Sequence, residues 1–168
     1  MRWGEVQAVP SHPFEPVYDV HSRILILGSF PSVRSRADGF YYAHPRNRFW
    51  QVLSRVLGER EPADVREKTE MLLRRRVALW DVLTYCEIRA SSDASIRREQ
   101  PSDLTRIFGA AKIARVYTNG KAAHALYEKY QKPLSGISDV CLPSTSPANA
   151  AWSLERLTES WKAIKEEL

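Results

Sequence analysis

Four short apolar runs constrain this chain more than any other feature: Ile24-Leu25-Ile26-Leu27, Val77-Ala78-Leu79-Trp80, Ile113 to Tyr117 and Asp139 to Leu142. Each has the length of a buried strand and ends in small, polar or proline residues. Helical periodicity lies between them. Asn47 to Leu57 places Phe49, Trp50, Leu53, Val56 and Leu57 at helical spacing before Gly58. A second helix is expected from Pro62, a favourable first-turn residue, to Arg76. A short helix opens at Pro101-Ser102-Asp103 and ends near Gly109. Another carries Ala122, Ala123, Leu126, Tyr127 and Tyr130, and the last sets Leu154, Leu157, Trp161, Ile164 and Leu168 on one face. The polar, serine-rich stretch 90–100 reads as a loop. Strands alternating with helices predict an α/β fold, a three-layer α/β/α sandwich around a four-stranded, mainly parallel sheet.

At 168 residues the chain is expected to be a single domain spanning 1–168. Residues 1–22, with Pro10, Pro13 and Pro16, are read as an extended segment over the surface. No apolar run approaches the roughly 18 residues needed to span a bilayer, and the N-terminus shows no signal-peptide core. Cys86 and Cys141 make neither a disulfide framework nor a CxxC pair, so a cytoplasmic location is the simplest expectation and a four-cysteine metal site is excluded by count. The net charge of +5 permits a polyanionic partner without requiring one. Arg74-Arg75-Arg76 is read as a solvated helix end.

In a parallel sheet the loops after the strands emerge at one edge, where open α/β sheets place ligands. Those loops are Gly28 to Ser32, Asp81, Asn119-Gly120 and Pro143 to Pro147. The first leads into Arg34, Arg36, the aromatics Phe40-Tyr41-Tyr42, and His44-Pro45-Arg46-Asn47-Arg48-Phe49-Trp50. Aromatic faces beside guanidinium groups suit an extruded or single-stranded base.

Three segments carry a resemblance: Gly28-Ser29-Phe30-Pro31-Ser32, Tyr41 to Trp50, and Leu142-Pro143-Ser144-Thr145-Ser146-Pro147-Ala148-Asn149. Together they resemble the uracil-DNA glycosylase superfamily, most closely its hypoxanthine-DNA glycosylase branch. The resemblance implies a monofunctional enzyme that flips deaminated bases out of DNA and hydrolyses the glycosidic bond without metal or cofactor. It implies DNA containing deaminated bases as partner, no membrane, and a monomer. Phe30 and Leu142 stand where uracil-cleaving branches carry polar residues.

By the same resemblance Asn47 is the catalytic candidate; alternatively it only caps the helix that follows. Asn119 is a second catalytic candidate, or part of an Asn-Gly turn. Tyr42 matches the aromatic that stacks on the extruded base, unless the aromatic trio is core. Asp81 is placed to read the base's polar edge, or caps a helix. Phe30 and His44 complete the base-binding set, although His44 beside Pro45 also suits a structural role. Ser32, Arg34, Arg36, Ser144, Thr145 and Ser146 are expected at the DNA, with 145–150 as a minor-groove wedge stiffened by Pro143 and Pro147. Asp38-Gly39 reads as a turn, and His12, His21 and His124 show no ligand spacing. Strand nicking needs an amine, and Lys121 is the only lysine near these motifs. The competing readings are a mismatch-type uracil glycosylase and a catalytically silent DNA-binding relative.

Overall fold

A computed structural model of the chain describes residues 7–9, 14–88 and 97–168. Along the chain the elements are β1 (Gln7–Val9), β2 (Ile24–Gly28), α1 (Val33–Asp38), α2 (Phe49–Leu57), α3 (Val65–Arg74), β3 (Val77–Asp81) and β4 (Leu83–Ile88). They continue with β5 (Arg97–Pro101), α4 (Thr105–Ala110), β6 (Arg115–Asn119), α5 (Lys121–Tyr130), α6 (Lys132–Ser135), β7 (Asp139–Leu142) and α7 (Leu154–Trp161), then a closing 3₁₀ turn, Lys162–Glu167.

The four apolar runs form one sheet in the order β3-β2-β6-β7, and every pairing is parallel. All residues of β2 and β3 are buried, as continuous apolar strands covered on both faces must be. Helices α3 and α5 pack on the sheet, and α2 packs on α7. The expected sandwich is therefore present. The registers Gly28↔Asp81 and Asn119↔Leu142 bring the strand ends to one edge, so the four loops converge there.

A second, antiparallel sheet in the order β1-β4-β5 departs from the expected pattern. Residues 97–100, read as loop, and Pro101, read as a helix opening, form one strand that pairs with Leu83–Ile88, and the helix begins only at Thr105; residues 89–96 lie outside the described residues. The N-terminal segment is also more than a surface strap. Val17 is buried and bridges Leu79, Phe14 packs edge-on against Tyr41 with centroids 4.5 Å apart, and β1 pairs with β4. Residues 33–38, to which the sequence pattern assigns no element, form α1, capped by Ser32 and Gly39. At the other terminus α7 gives way to a 3₁₀ turn, whose different residues-per-turn rotates Leu168 out of the buried face. The triple arginine is a helix end: Arg74 closes α3, and Arg74 and Arg75 both pair with Glu59. No helix among the described residues is long and apolar enough to cross a membrane.

Candidate active site

A pocket of about 130 Å³ opens at the C-terminal edge of the sheet, lined by residues from all four loops. Gly28 ends β2 opposite Asp81. A methyl group at Gly28 would overlap Asp81 Oδ1 and lie 2.9 Å from the Tyr42 hydroxyl. Only glycine lets these two side chains meet over the strand end. Asp81 is itself buried, and its backbone carbonyl accepts the Ser102 hydroxyl at 2.7 Å.

The aromatic trio divides between core and pocket. Phe40 stacks on Trp50, and Tyr41 is buried with its hydroxyl on the Glu15 carbonyl at 2.9 Å. Tyr42 takes φ 53°, a left-handed conformation that costs a non-glycine residue roughly 1–2 kcal/mol. That reversal turns its ring against the buried Phe49 (centroids 4.1 Å, 25° between planes) and into the pocket lining. Phe40 and Tyr41 are therefore core residues, Tyr41 also reaching the pocket wall, and Tyr42 is the half-buried member of the trio that lines it. Burial, reinforced by the Asp81 carboxylate, holds the Tyr41 phenol far above its ordinary pKa.

Asn47 lies just before α2. Its Oδ1 accepts the Phe49 backbone N–H at 3.0 Å and the Thr145 hydroxyl at 2.9 Å. Both lone pairs of that oxygen are engaged, so the amide's Nδ2 is the end left for the pocket that Asn47 lines. Arg48, not Asn47, holds the N-cap position of α2; the Asn47 oxygen closes a turn onto Phe49 N–H one residue ahead of it, and the other end of the amide remains for the pocket. Asn119 binds Thr145 at both ends: Nδ2 donates to Oγ1 at 2.9 Å and Oδ1 accepts the backbone N–H at 3.0 Å. It lines the pocket as well.

Of the residues expected at the DNA, Ser32 caps α1, accepting the Ser35 N–H at 3.2 Å, and still lines the pocket. Arg34 is exposed and paired with Asp38 at 2.7 Å, while Gly39 closes the helix as the Asp-Gly turn predicted. Arg36 sits 5.9 Å from the Phe30 ring centroid, its Nε buried without an acceptor among the described residues. Ser144 and Ser146 are half-buried and brace their own loop by accepting the N–H groups of Ser146 and Ala148. Thr145 departs from expectation. Its side chain is fully buried and bonded to Asn47 and Asn119, which removes it from phosphate contact. His44 is exposed, does not line the pocket, and accepts the Arg46 N–H at 3.0 Å, holding the turn before α2. Phe30 lines the pocket; Leu142 is buried in the core.

Sequence reasoning missed the role of Arg48. Its backbone N–H donates to the Thr145 carbonyl at 3.1 Å, and its guanidinium bonds the carbonyls of Ser146 (3.2 Å), Asn149 (3.1 Å) and Trp152. One side chain thus ties the first motif to the expected wedge loop, and the Trp161 indole N–H pins Pro143 at 2.9 Å on its other side. His124 was also missed: Asp139 Oδ2 meets its Nδ1 at 2.7 Å and the Thr118 hydroxyl at 2.6 Å, with Glu128 close by but paired to Lys132. His12 lies outside the described residues.

A strand-end pocket joining an aromatic, a buried carboxylate and an asparagine amide lies where open α/β sheets place their ligands. The Uracil DNA glycosylase superfamily model matches residues 15–166. A Methanosarcina acetivorans protein named hypoxanthine DNA glycosylase is 33% identical over 153 residues, covering 90% of this chain and 95% of the relative. A protein of the same name from Methanosarcina barkeri is 32% identical over 150 residues, 88% of this chain and 93% of the relative. An M. acetivorans protein solved by solution NMR, provisionally described as a uracil DNA glycosylase, superposes with TM-score 0.77 at 33% identity, covering 90% of this chain and 93% of the other. The chain belongs to the uracil DNA glycosylase superfamily, and its family and relatives make it a DNA glycosylase.

Proposed function

We propose that this glycosylase chiefly excises hypoxanthine from DNA, flipping the base into the pocket and leaving an abasic site. The carrying observation is the Asn47 amide, whose oxygen is engaged by Phe49 and Thr145 while its NH₂ end is left for the pocket. Cleavage of the glycosidic bond builds positive charge on the sugar and negative charge on the departing base. A fixed N–H donor stabilises that anion more than the neutral ground state. Because both lone pairs of Oδ1 are taken, donation to the base, not orientation of water by the carbonyl, is the role the amide supports.

Asp81 supplies the complementary recognition. Deamination converts the N1 acceptor of adenine into the N1–H donor of hypoxanthine, and an ionised carboxylate only accepts. The same acceptor also suits the N3–H of uracil, so Asp81 separates deaminated bases from adenine rather than hypoxanthine from uracil. The latter discrimination falls to Phe30, a half-buried apolar ring where uracil-cleaving relatives carry a polar group. Tyr42 stacks on the extruded base, an interaction worth about 1–3 kcal/mol against an unstacking cost of a few kcal/mol. Among the described residues no lysine lines the pocket, which supports hydrolysis without strand nicking.

Single-turnover cleavage of a deoxyinosine duplex tests the assignment. Asn47→Ala is expected to slow cleavage by on the order of 10²-fold or more, with a stability loss of about 1–2 kcal/mol for the missing turn contact. Asn47→Asp keeps both acceptor contacts but replaces the donor with an oxygen, so it should fold normally and fail as Ala does. An Asn47→Ala enzyme that melts early yet cleaves at the wild-type rate would reduce the residue to that turn contact.

A further inference from the structure

The contacts around Thr145 form a one-way relay. Phe49 N–H points at one terminal atom of Asn47, and Thr145 N–H at one terminal atom of Asn119. Backbone N–H groups only donate, so both of those atoms must be oxygens, and neither amide can be flipped in place. With the Asn119 oxygen assigned, its Nδ2 is the donor facing Thr145 Oγ1 at 2.9 Å. The threonine hydroxyl has one proton, and it goes to Asn47 Oδ1, also at 2.9 Å. The direction runs from Asn119 through Thr145 to Asn47. It lies on a residue with no exposed surface, whose carbonyl is also held by Arg48 N–H.

We propose that Thr145 is a positioning residue for base release: its hydroxyl, oriented by Asn119, locks the Asn47 amide with its NH₂ toward the departing base. The proposal rests on the assignment of Asn47 made above. The terminal torsion of asparagine is broad and nearly two-fold. A half-turn about it would put an oxygen where the anionic base develops, turning attraction into repulsion. The Phe49 N–H alone gives one restraint; the Thr145 hydroxyl adds a second and polarises the amide so that its N–H donates more strongly. The buried threonine also explains why two loops almost a hundred residues apart present one donor in register.

The test is a set of cycles read by single-turnover cleavage of deoxyinosine DNA, binding to an abasic duplex, and thermal melting. Thr145→Val keeps the branched shape and deletes the hydroxyl; about 10- to 100-fold slower cleavage is expected, the range for a misplaced catalytic group, with abasic-duplex affinity unchanged. Thr145→Ser restores the hydroxyl and should recover most of the rate. Asn119→Asp still accepts the Thr145 N–H but cannot donate to the hydroxyl. It therefore draws the proton away from Asn47, and should slow cleavage even if Thr145→Val does not fold. In an Asn47→Ala background neither substitution should slow cleavage further. Wild-type rates for both Thr145→Val and Asn119→Asp, or losses that persist undiminished on Asn47→Ala, overturn the relay. Asn47→Ala cleaving at the wild-type rate instead overturns the assignment of Asn47, and the relay with it.

Discussion

Arg48 gives the most quantitative test of how the pocket is assembled. Arg48→Met retains most of the apolar stem while deleting the guanidinium, and so removes the bonds to the carbonyls of Ser146, Asn149 and Trp152. Each hydrogen bond from a charged donor contributes roughly 1.5–3 kcal/mol. Pro147, Ala148, Ala150 and Ala151 are exposed, so water can reach the abandoned carbonyls and offset part of that sum. A net loss of about 2–4 kcal/mol follows, which for a domain of this size lowers Tm by about 5–15 °C. The loss should be concentrated in the loop. Asn149 N–H and Trp152 N–H, bonded to the carbonyls of Ser146 and Asn149, should lose hydrogen-exchange protection before the sheet does. Arg48→Lys, a point charge without the planar fork, should fall between. A Tm within 1 °C of wild type, together with unchanged exchange at 149 and 152, would refute the clamp.

Gly28→Ala should cost about 1–3 kcal/mol of stability and push Asp81 and Tyr42 off the strand end, lowering cleavage of deoxyinosine by on the order of 10-fold or more; an unaltered rate would show that neither side chain needs its present place. Tyr41 provides a pH test. Its folded-state pKa is raised, so its contribution is complete below the ordinary tyrosine value near 10 and is lost as pH rises beyond it, by about 1.4 kcal/mol per pH unit. Tyr41→Phe should melt lower at neutral pH, because the Glu15 contact is gone, yet decline less steeply above about pH 10; parallel alkaline declines would contradict the assignment.

Sequence patterning reveals elements whose burial is one-sided or complete, and misses those without an apolar face. The sheet was legible because β2 and β3 are apolar up to their last residues, and its parallel sense predicted that Gly28, Asp81 and Asn119 would share an edge. Arg97–Pro101 reads Arg-Arg-Glu-Gln-Pro, with no apolar residue to alternate, and its strand identity comes from pairing with β4. Helix α1 is equally silent: Arg34, Ser35, Arg36 and Asp38 offer no hydrophobic stripe, and its existence follows from the Ser32 cap and Gly39. Within the site, Asn47, Tyr42 and Asp81 were identifiable from motif and position. The contacts of Arg48 and Thr145 were not, because the carbonyls that Arg48 binds and the Asn47 oxygen that Thr145 binds lie about a hundred residues away in sequence. A serine-threonine loop in sequence gives no sign of which hydroxyl turns inward; only the fully buried Thr145 does.

The most direct measurement of the central claim is a side-by-side single-turnover time course on otherwise identical duplexes containing deoxyinosine, deoxyuridine or deoxyadenosine, with abasic sites revealed by alkaline cleavage. The Asn47 donor, the Asp81 acceptor and the apolar Phe30 together predict that deoxyinosine is cut fastest, deoxyuridine more slowly, and deoxyadenosine not detectably. Deoxyuridine cut as fast as or faster than deoxyinosine would contradict the account.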